Sequence, residues 1–160
     1  MNLREATHSR TFNDDLLTGR IIGAAIEIHR QLGPGLLEST YEECLCFELT
    51  ILGLPFERQV PLPIEYKSMR LLNAYKVDLL IDNNVVVELK AVEKVLPVHE
   101  AQVLTYLHLT GLERGLLLNF NSVPMKSGIR RLNRPNLSPV SPVSPSFFLD
   151  EDATKAEETN

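Results

Sequence analysis

The sequence lacks a large surplus of charge of either sign. Its 160 residues contain sixteen Lys and Arg and twenty-one Asp and Glu, which gives a formal net charge of −5. Residues 133–160 hold two of the basic and five of the acidic residues, so residues 1–132 carry a charge of only −2. Because residues 1–132 are nearly neutral, the protein does not bind polyanions through a large excess of basic residues, as histone-like proteins do.

Cysteines and long apolar runs are also scarce. Cys44 and Cys46 are the only cysteines, and residues two apart in a helix point to different faces, so they do not readily share a disulfide or a metal ion. We expect two buried thiols. Residues 1–15 contain no apolar stretch typical of a signal peptide, and no apolar run approaches the ~20 residues of a membrane span. The expected protein has no membrane segment, and its expected compartment is the cytoplasm.

With 44% hydrophobic residues, the overall composition is that of an ordinary globular domain. Apolar spacing predicts two helices, then several strands, a third helix and a further strand, which indicates an α/β fold. Pro61 and Pro63 favour an edge position for the first strand. The predicted helices cover residues 18–32, 39–52 and 98–110, and the predicted strands cover residues 56–61, 62–66, 69–72, 74–81, 85–92 and 114–120.

The chain is predicted to divide into three segments. An N-terminal segment, residues 1–16, precedes a folded domain of residues 17–132. Residues 133–160 are rich in Pro and Ser, end in an acidic stretch and show no hydrophobic periodicity. Such composition is typical of a disordered tail.

The most informative stretch is residues 75–90, which predicts a β-hairpin. A three-residue loop, Asp82 to Asn84, would pair Ile81 with Val85 and place Asp78 directly opposite Glu88. Because side chains alternate along a strand, this register gives two distinct faces. One face would hold Val77, Leu79, Ile81, Val85, Val87 and Leu89, and the other would hold Lys76, Asp78, Leu80, Val86, Glu88 and Lys90. A two-residue loop would scatter both sets, so the apolar face selects the odd loop.

Facing carboxylates repel each other and destabilise a sheet, so Asp78 and Glu88 need a compensating partner. Mg²⁺ takes oxygen ligands and commonly uses one or two carboxylates together with waters and substrate phosphates. Lys90, on the same predicted face, could hold a water or a phosphoryl oxygen beside such an ion. This set indicates metal-assisted phosphodiester hydrolysis. The alternative is an exposed hairpin face with an ordinary Glu–Lys ion pair.

Two parts of the sequence carry a family resemblance. The string from Gly35 to Tyr41, Gly-Leu-Leu-Glu-Ser-Thr-Tyr, resembles the signature of the GxxExxY protein family, which is similar to the PD-(D/E)xK nuclease superfamily. Glu88-Leu89-Lys90 fits the ExK element of that superfamily and Asp78 fits its upstream Asp, while Val77 replaces the Pro. The resemblance covers about residues 17–132 and implies a restriction-endonuclease-like core, a central mixed sheet of four or slightly more strands flanked by helices.

The resemblance also implies roles for individual residues. Asp78, Glu88 and the Leu89 carbonyl would bind Mg²⁺ or Mn²⁺, and Lys90 would be the catalytic lysine. Further residues would support the metal or position the substrate: Glu38 in the outer shell of the metal, and Gln102 and Tyr106 against the substrate.

Without the family, those supporting residues have simpler interpretations. Glu38 could merely favour the positive end of a helix. Ser39 to Glu42 fits a capping box, which assigns Glu42 to the helix start. His99, Gln102 and Tyr106 share one helical face, which alone indicates a polar helix surface.

Two functions follow as alternatives. The first is a metal-dependent nuclease acting on DNA or RNA. The second is a catalytically weak or inactive nuclease-fold module that binds nucleic acid or a protein partner. The sequence leaves open whether the chain forms a homodimer. Basic residues that could contact phosphates form no dense patch in the sequence; they are Arg58, Lys67, Arg70, Lys76, Lys94, Arg114, Lys126, Arg130 and Arg131.

Overall fold

A computed structural model describes the backbone of residues 3–136 and the side chains of residues 15–136. Within this part of the chain, three helices and five strands are arranged in the predicted α/β order, with a short 3-10 helix, Met125–Gly128, before the last strand. The elements are α1 (Leu3–Leu32), α2 (Glu38–Ile51), β1 (Phe56–Tyr66), β2 (Met69–Ile81), β3 (Val85–Lys90), α3 (Pro97–Thr110), β4 (Arg114–Asn119) and β5 (Ile129–Asn133). The predicted tail lies mostly outside the described residues.

The strands form one mixed sheet in the order β1-β2-β3-β4-β5. β3 and β4 are parallel, since α3 provides the crossover between them, and the other neighbouring pairs are antiparallel. The expected mixed sheet flanked by helices is confirmed. β1, which contains Pro61 and Pro63, lies at an edge as predicted. β5 was not among the predicted strands.

The β2–β3 hairpin has the predicted register. Ile81 pairs with Val85, and the ladder continues through Leu80–Val86 and Leu79–Val87. Asp82 and Asn83 adopt φ angles of 52° and 50° in the loop, a conformation that Asn and Asp tolerate better than most side chains. The odd-numbered loop is therefore confirmed.

The two faces of the sheet are covered by different helices. α1 and α2 pack on one face against the side chains of Leu79, Ile81, Val85, Val87 and Leu89. α3 packs on the other face, where Leu80 and Val86 meet Val103, Tyr106 and Leu107. A Cβ added to Gly115 of β4 would lie 2.6 Å from Val103, so α3 approaches this strand more closely than a larger residue would permit.

Val77 was assigned to the wrong face. It lies in the α3-side core with Leu80 and Val86, whereas strict alternation from Leu79 would place it on the side of α1 and α2. The alternation is broken at Asp78, which is the first residue of β2 beyond its ladder with β3. Opposite Asp78, Gln59 of β1 has a φ of 49°, so the pairing of β2 is irregular on both sides at this point.

Other predicted boundaries also need correction. α1 begins at Leu3 rather than near residue 18, and β1 and β2 are each continuous where two strands were predicted. Cys46 is buried and Cys44 is only half-buried, and both are free thiols. None of the described helices combines the length and apolar character of a membrane span.

Candidate active site

Asp78 lies where β2 and β3 separate. Its Oδ2 accepts a hydrogen bond of 2.8 Å from the backbone N–H of Leu89. Within the described residues, the backbone ladder between β2 and β3 ends at the pair Leu79–Val87. The Asp78 carboxylate therefore accepts the Leu89 N–H hydrogen bond that a backbone carbonyl of β2 would accept if the ladder continued. The gap in the ladder turns the carboxylate of Asp78 toward the end of β3.

Glu88 is buried next to this gap, with only 3% of the residue exposed. Its Oε1 accepts a hydrogen bond of 2.7 Å from Lys90 Nζ, while its buried Oε2 has no hydrogen-bond partner among the described residues. Burial, reinforced by the negative charge of Asp78, raises the pKa of Glu88 to about 7. The structure thus brings the predicted acidic pair together and leaves one carboxylate oxygen unsatisfied.

Lys90 completes this central group at the last position of β3. Burial opposes its charge, but the ion pair with Glu88 and the charges of Glu38 and Asp78 raise the pKa of Lys90 above its ordinary value. Its carbonyl accepts a hydrogen bond of 2.9 Å from the N–H of Phe120. Lys90 is therefore a protonated ammonium group fixed at the rim of the sheet.

Glu38 reaches the site from the first turn of α2. Partial burial raises the pKa of the Glu38 carboxyl, and the charge of Asp78 raises it further while Lys90 opposes the shift. Glu38 is close enough to both residues for their charges to act on it. Its position at the start of α2 is also favourable for an acidic residue, so both interpretations of Glu38 remain consistent with the geometry.

Gln102 and Tyr106 approach from α3. The Gln102 amide donates a hydrogen bond of 2.6 Å to the Tyr106 hydroxyl. Burial and the nearby charge of Glu88 raise the pKa of Tyr106 well above its usual range, so the phenol stays neutral. His99 does not join them, because its Nδ1 accepts a hydrogen bond from the backbone N–H of Leu96 at the start of α3.

Glu42 has a different role from the predicted one. α2 begins at Glu38, without a side-chain cap, so Glu42 lies too far into the helix to form the capping box. Its carboxylate instead accepts hydrogen bonds from Arg58 at 2.9 Å and from Gln59 at 2.8 Å. The Gln59 amide is also 3.3 Å from Asp78 Oδ1. Gln59 therefore connects α2 to the site, a role that its sequence context did not indicate.

Two asparagines that the sequence did not single out hold the chain that leaves Lys90. Asn119, fully buried at the end of β4, hydrogen-bonds both the N–H and the carbonyl of Val92 at 3.0 and 2.9 Å. Asn121 donates to the Ala91 carbonyl and accepts from the Gly35 N–H, each at 2.9 Å. The sequence signal that could have indicated this role is Asn119 itself, because a polar residue at the end of an apolar strand is unusual in a core.

Tyr41 holds the start of α2 in the same region. Its hydroxyl donates to the Gly33 carbonyl at 2.6 Å and accepts from the Leu36 N–H at 3.2 Å. Its ring stacks on Phe120 with a centroid distance of 4.3 Å. Together with Asn121, this contact links the segment that carries Glu38 to the segment that carries Lys90.

The donor set fits a hard divalent cation in part. Glu88 Oε2 is buried next to a second carboxylate and has no hydrogen-bond partner in residues 15–136, and such an atom is the kind that a cation would satisfy. Among the side chains of residues 15–136, no cluster of three or more His, Cys, Asp or Glu could hold a metal ion. A cation here would therefore need carbonyl, water or substrate oxygens in addition to the two carboxylates, as is common for Mg²⁺.

A comparison with known protein families identifies the family of this chain. The model of the PD-(D/E)XK nuclease superfamily matches residues 15–132, which contain every residue of the site. No curated protein matches the chain. No solved structure matches it either. Since the matched region covers well over half of the sequence, the chain belongs to the PD-(D/E)XK nuclease superfamily.

Proposed function

We propose that this protein is a nuclease that hydrolyses phosphodiester bonds in DNA or RNA with the help of Mg²⁺ or Mn²⁺. The observation that supports this most directly is Glu88 Oε2, which is buried next to Asp78 and has no hydrogen-bond partner in the part of the chain that the structure describes. Lys90 is bound to the other oxygen of the same carboxylate. The superfamily membership supports a nucleic-acid substrate.

Asp78, Glu88 and the carbonyl of Leu89 are the groups that would hold the ion. When bound, such an ion lowers the pKa of a coordinated water and offsets the negative charge that develops on the phosphoryl oxygens. The Leu89 N–H fixes the orientation of Asp78, because it occupies Oδ2 at 2.8 Å. This bond restricts the orientation of the Asp78 carboxylate next to Glu88.

Lys90 supplies positive charge where the substrate phosphate would lie. Its ammonium group is anchored by Glu88 at 2.7 Å and retains donors for a phosphoryl oxygen or a water. Glu38 is close enough for its charge to act on Lys90, and it would orient a water or support a second cation. A fixed cation beside a buried carboxylate stabilises developing negative charge better than a mobile one, since no reorganisation is required.

Gln102 and Tyr106 would position the substrate on the α3 side. The neutral Tyr106 hydroxyl accepts from Gln102, so its own proton is available to a phosphate or base oxygen. The second amide proton of Gln102 remains available in the same way. Neither group carries charge, which suits a role in orientation rather than in proton transfer.

Cleavage assays with single- and double-stranded DNA and RNA test this proposal. The parent protein should cut at least one of these substrates in millimolar Mg²⁺ or Mn²⁺ and none in EDTA. Lys90→Met and Asp78→Asn should each lower the rate by at least about 100-fold, as expected for the loss of one preorganised charge. Arg30→Met, at an exposed position on α1, is the control for loss of a positive charge and should keep the parent rate.

Equal activity in the parent, Lys90→Met and Asp78→Asn preparations would contradict the proposal, because it would identify a contaminating nuclease. Thermal unfolding provides the check that these variants are folded. Both positions lie at the rim of the sheet, and each substitution keeps the side chain close to its original size.

The alternative is a nuclease-fold module that binds nucleic acid or a protein partner without cutting. Two observations favour it: the two carboxylates have no third acidic or His ligand in the described residues, and Lys90 already neutralises part of their charge. Thermal unfolding in millimolar Mg²⁺ or Mn²⁺ distinguishes the two functions, because an ion that binds only to the folded state must raise the stability of that state. No thermal shift with either ion would favour the binding module.

The finer assignments remain part of the proposal. The segment from Gly35 to Tyr41 supports placement in the GxxExxY family, since it holds Glu38 next to the site. We expect the protein to act in the cytoplasm. Sedimentation tests whether the chain forms a homodimer.

A further inference from the structure

The β1–β2 hairpin extends well beyond the site. β2 pairs with β3 only at residues 79–81, whereas its pairing with β1 continues to Tyr66–Met69 at the hairpin tip. We call residues 61–76 the arm. Every residue from 65 to 73 in the arm is exposed, so this part of the sheet has free surface next to the proposed active site.

The arm is locally basic in an otherwise acidic chain. Between Glu65 and Asp78 the sequence contains Lys67, Arg70 and Lys76 and no acidic residue. Arg70 lies 3.9 Å from Glu65, a long and exposed ion pair that contributes little to stability. Lys67 and Lys76 are exposed, so their charges favour the approach of a polyanion.

Exposed aromatic and aliphatic side chains accompany these cations. Tyr66 is 60% exposed and Tyr75 is 37% exposed. Lys67 Nζ lies 5.4 Å from the centroid of the Tyr66 ring. Exposed rings beside a cation on an open surface are features that bind single-stranded nucleic acid, since the bases stack on the rings and the backbone pairs with the charge. The exposed aliphatic residues beside them are Met69, Leu71 and Leu72.

The arm is continuous with the proposed active site. The ring of Tyr75 meets that of Tyr106 edge to face with a centroid distance of 5.7 Å, and Tyr106 is close enough to Glu88 for the two to interact electrostatically. A strand lying on Tyr75 would therefore pass next to Tyr106 and lie near the acidic pair.

We infer that the arm binds a single-stranded segment of nucleic acid and guides it into the active site. This inference rests on the proposed nucleic-acid substrate. Tyr66 lies four residues along β1 from Leu62, the pair partner of Tyr75, so the two rings are separated by roughly 13 Å along the arm. They would contact different bases of the same strand, with Lys67, next to Tyr66 at the hairpin tip, on its phosphates.

Fluorescence anisotropy with a labelled 20-nucleotide single strand tests the inference. The full chain is measured in EDTA, where no cleavage interferes. Lys67→Gln should reduce the slope of log K against log salt by about 0.7, because each phosphate contact on a single strand contributes about that much. The same relation predicts roughly fivefold weaker binding at 0.1 M salt. Arg30→Gln, at an exposed position on α1 outside the arm, should match the parent.

The aromatic contribution is tested separately. Tyr66→Leu should weaken binding by about fivefold or more, as expected for the loss of one stacked base, with little change in the salt slope. Phe47→Leu is the matched control, because Phe47 on α2 is an aromatic residue of similar exposure, 67%, that lies outside the arm. Circular dichroism confirms that each variant remains folded.

The outcomes separate this inference from the proposed nuclease activity. Parent-like affinity and salt slope in Lys67→Gln would overturn it, even if the protein cleaves nucleic acid. Tighter binding of duplex than of single strand, with the same loss in the variants, would overturn the single-strand assignment. Arm-dependent binding of single strands without cleavage in Mg²⁺ or Mn²⁺ would uphold the inference and refute the nuclease activity.

Discussion

The carboxylate of Asp78 accepts a hydrogen bond from the backbone N–H of Leu89 at 2.8 Å. This single bond connects two functions that are usually separate. It completes the pairing between two strands at the point where their ladder ends, and it orients a proposed metal ligand. Because the Asp78 side chain contributes to both the fold and the proposed chemistry, its two contributions must be measured with different substitutions.

Substitutions of Asp78 by Asn and by Ala achieve that separation. Asn keeps an oxygen that can accept the hydrogen bond from the Leu89 N–H, so Asp78→Asn should change the free energy of unfolding by less than about 1 kcal/mol. Asp78→Ala leaves this buried N–H unpaired and should lower the free energy of unfolding by about 1–3 kcal/mol. Both should abolish cleavage. Urea unfolding in EDTA measures the difference, and equal stability of the two variants would show that the hydrogen bond to Leu89 does not contribute.

The pKa of Glu88 leads to a pH-dependent stability difference. Burial, together with the charge of Asp78, raises this pKa to about 7 in the folded state. The folded chain therefore binds that proton more tightly than the unfolded chain, and the resulting stabilisation is lost as the pH rises from about 4.5 through 7. A Gln at this position carries no charge at any pH.

Glu88→Gln should accordingly gain stability relative to the parent as the pH rises. The gain should develop between pH 5 and pH 8 and reach on the order of 3 kcal/mol. Urea unfolding of both proteins at the two pH values, in EDTA, gives the comparison. A difference in unfolding free energy that is the same at pH 5 and pH 8 would show that Glu88 is not held in its protonated form by the fold.

The hairpin that carries the site could be predicted because its sequence is locally consistent. Only an odd loop places Leu79, Ile81, Val85, Val87 and Leu89 on one face, and this register is the one observed. The face of the sheet on which Val77 lies could not be predicted in the same way. Its change of face depends on the irregular pairing around Asp78 and on the conformation of Gln59 in another strand.

The errors elsewhere have the same origin in long-range contacts. Glu42 fits a capping box locally, but its partner Arg58 lies sixteen residues further along the chain. β5 has a polar sequence because it is an edge strand, and its cations are satisfied from distant elements. Arg130 pairs with Glu100 of α3, and Arg131 donates to the Thr18 hydroxyl of α1 at 2.6 Å. Periodicity within a short segment contains no information about such partners.

Metal binding should depend on pH through the same carboxylate. A bound cation must displace the proton of Glu88, so its affinity should fall by up to tenfold for each pH unit below about 7. At pH 8, a concentration of Mn²⁺ ten times its Kd should stabilise the protein by about 1.4 kcal/mol. Thermal unfolding with and without Mn²⁺, at pH 6 and pH 8, measures both effects. A thermal shift that Asp78→Asn retains in full would place the ion elsewhere.

The hydroxyl of Tyr41 should be important for the placement of Glu38. It donates to the Gly33 carbonyl and accepts from the Leu36 N–H, so Tyr41→Phe leaves two backbone groups without their partner while the ring can still stack on Phe120. We expect a loss of about 1–2 kcal/mol in the free energy of unfolding, together with a lower cleavage rate because the segment that carries Glu38 is less firmly held. Tyr66→Phe, at an exposed position in the arm, is the matched control and should change stability by no more than about 0.5 kcal/mol. If the two variants unfold at the same urea concentration as the parent, the hydroxyl of Tyr41 does not hold the start of α2, and the position of Glu38 depends on Asn121 and the stacked rings instead.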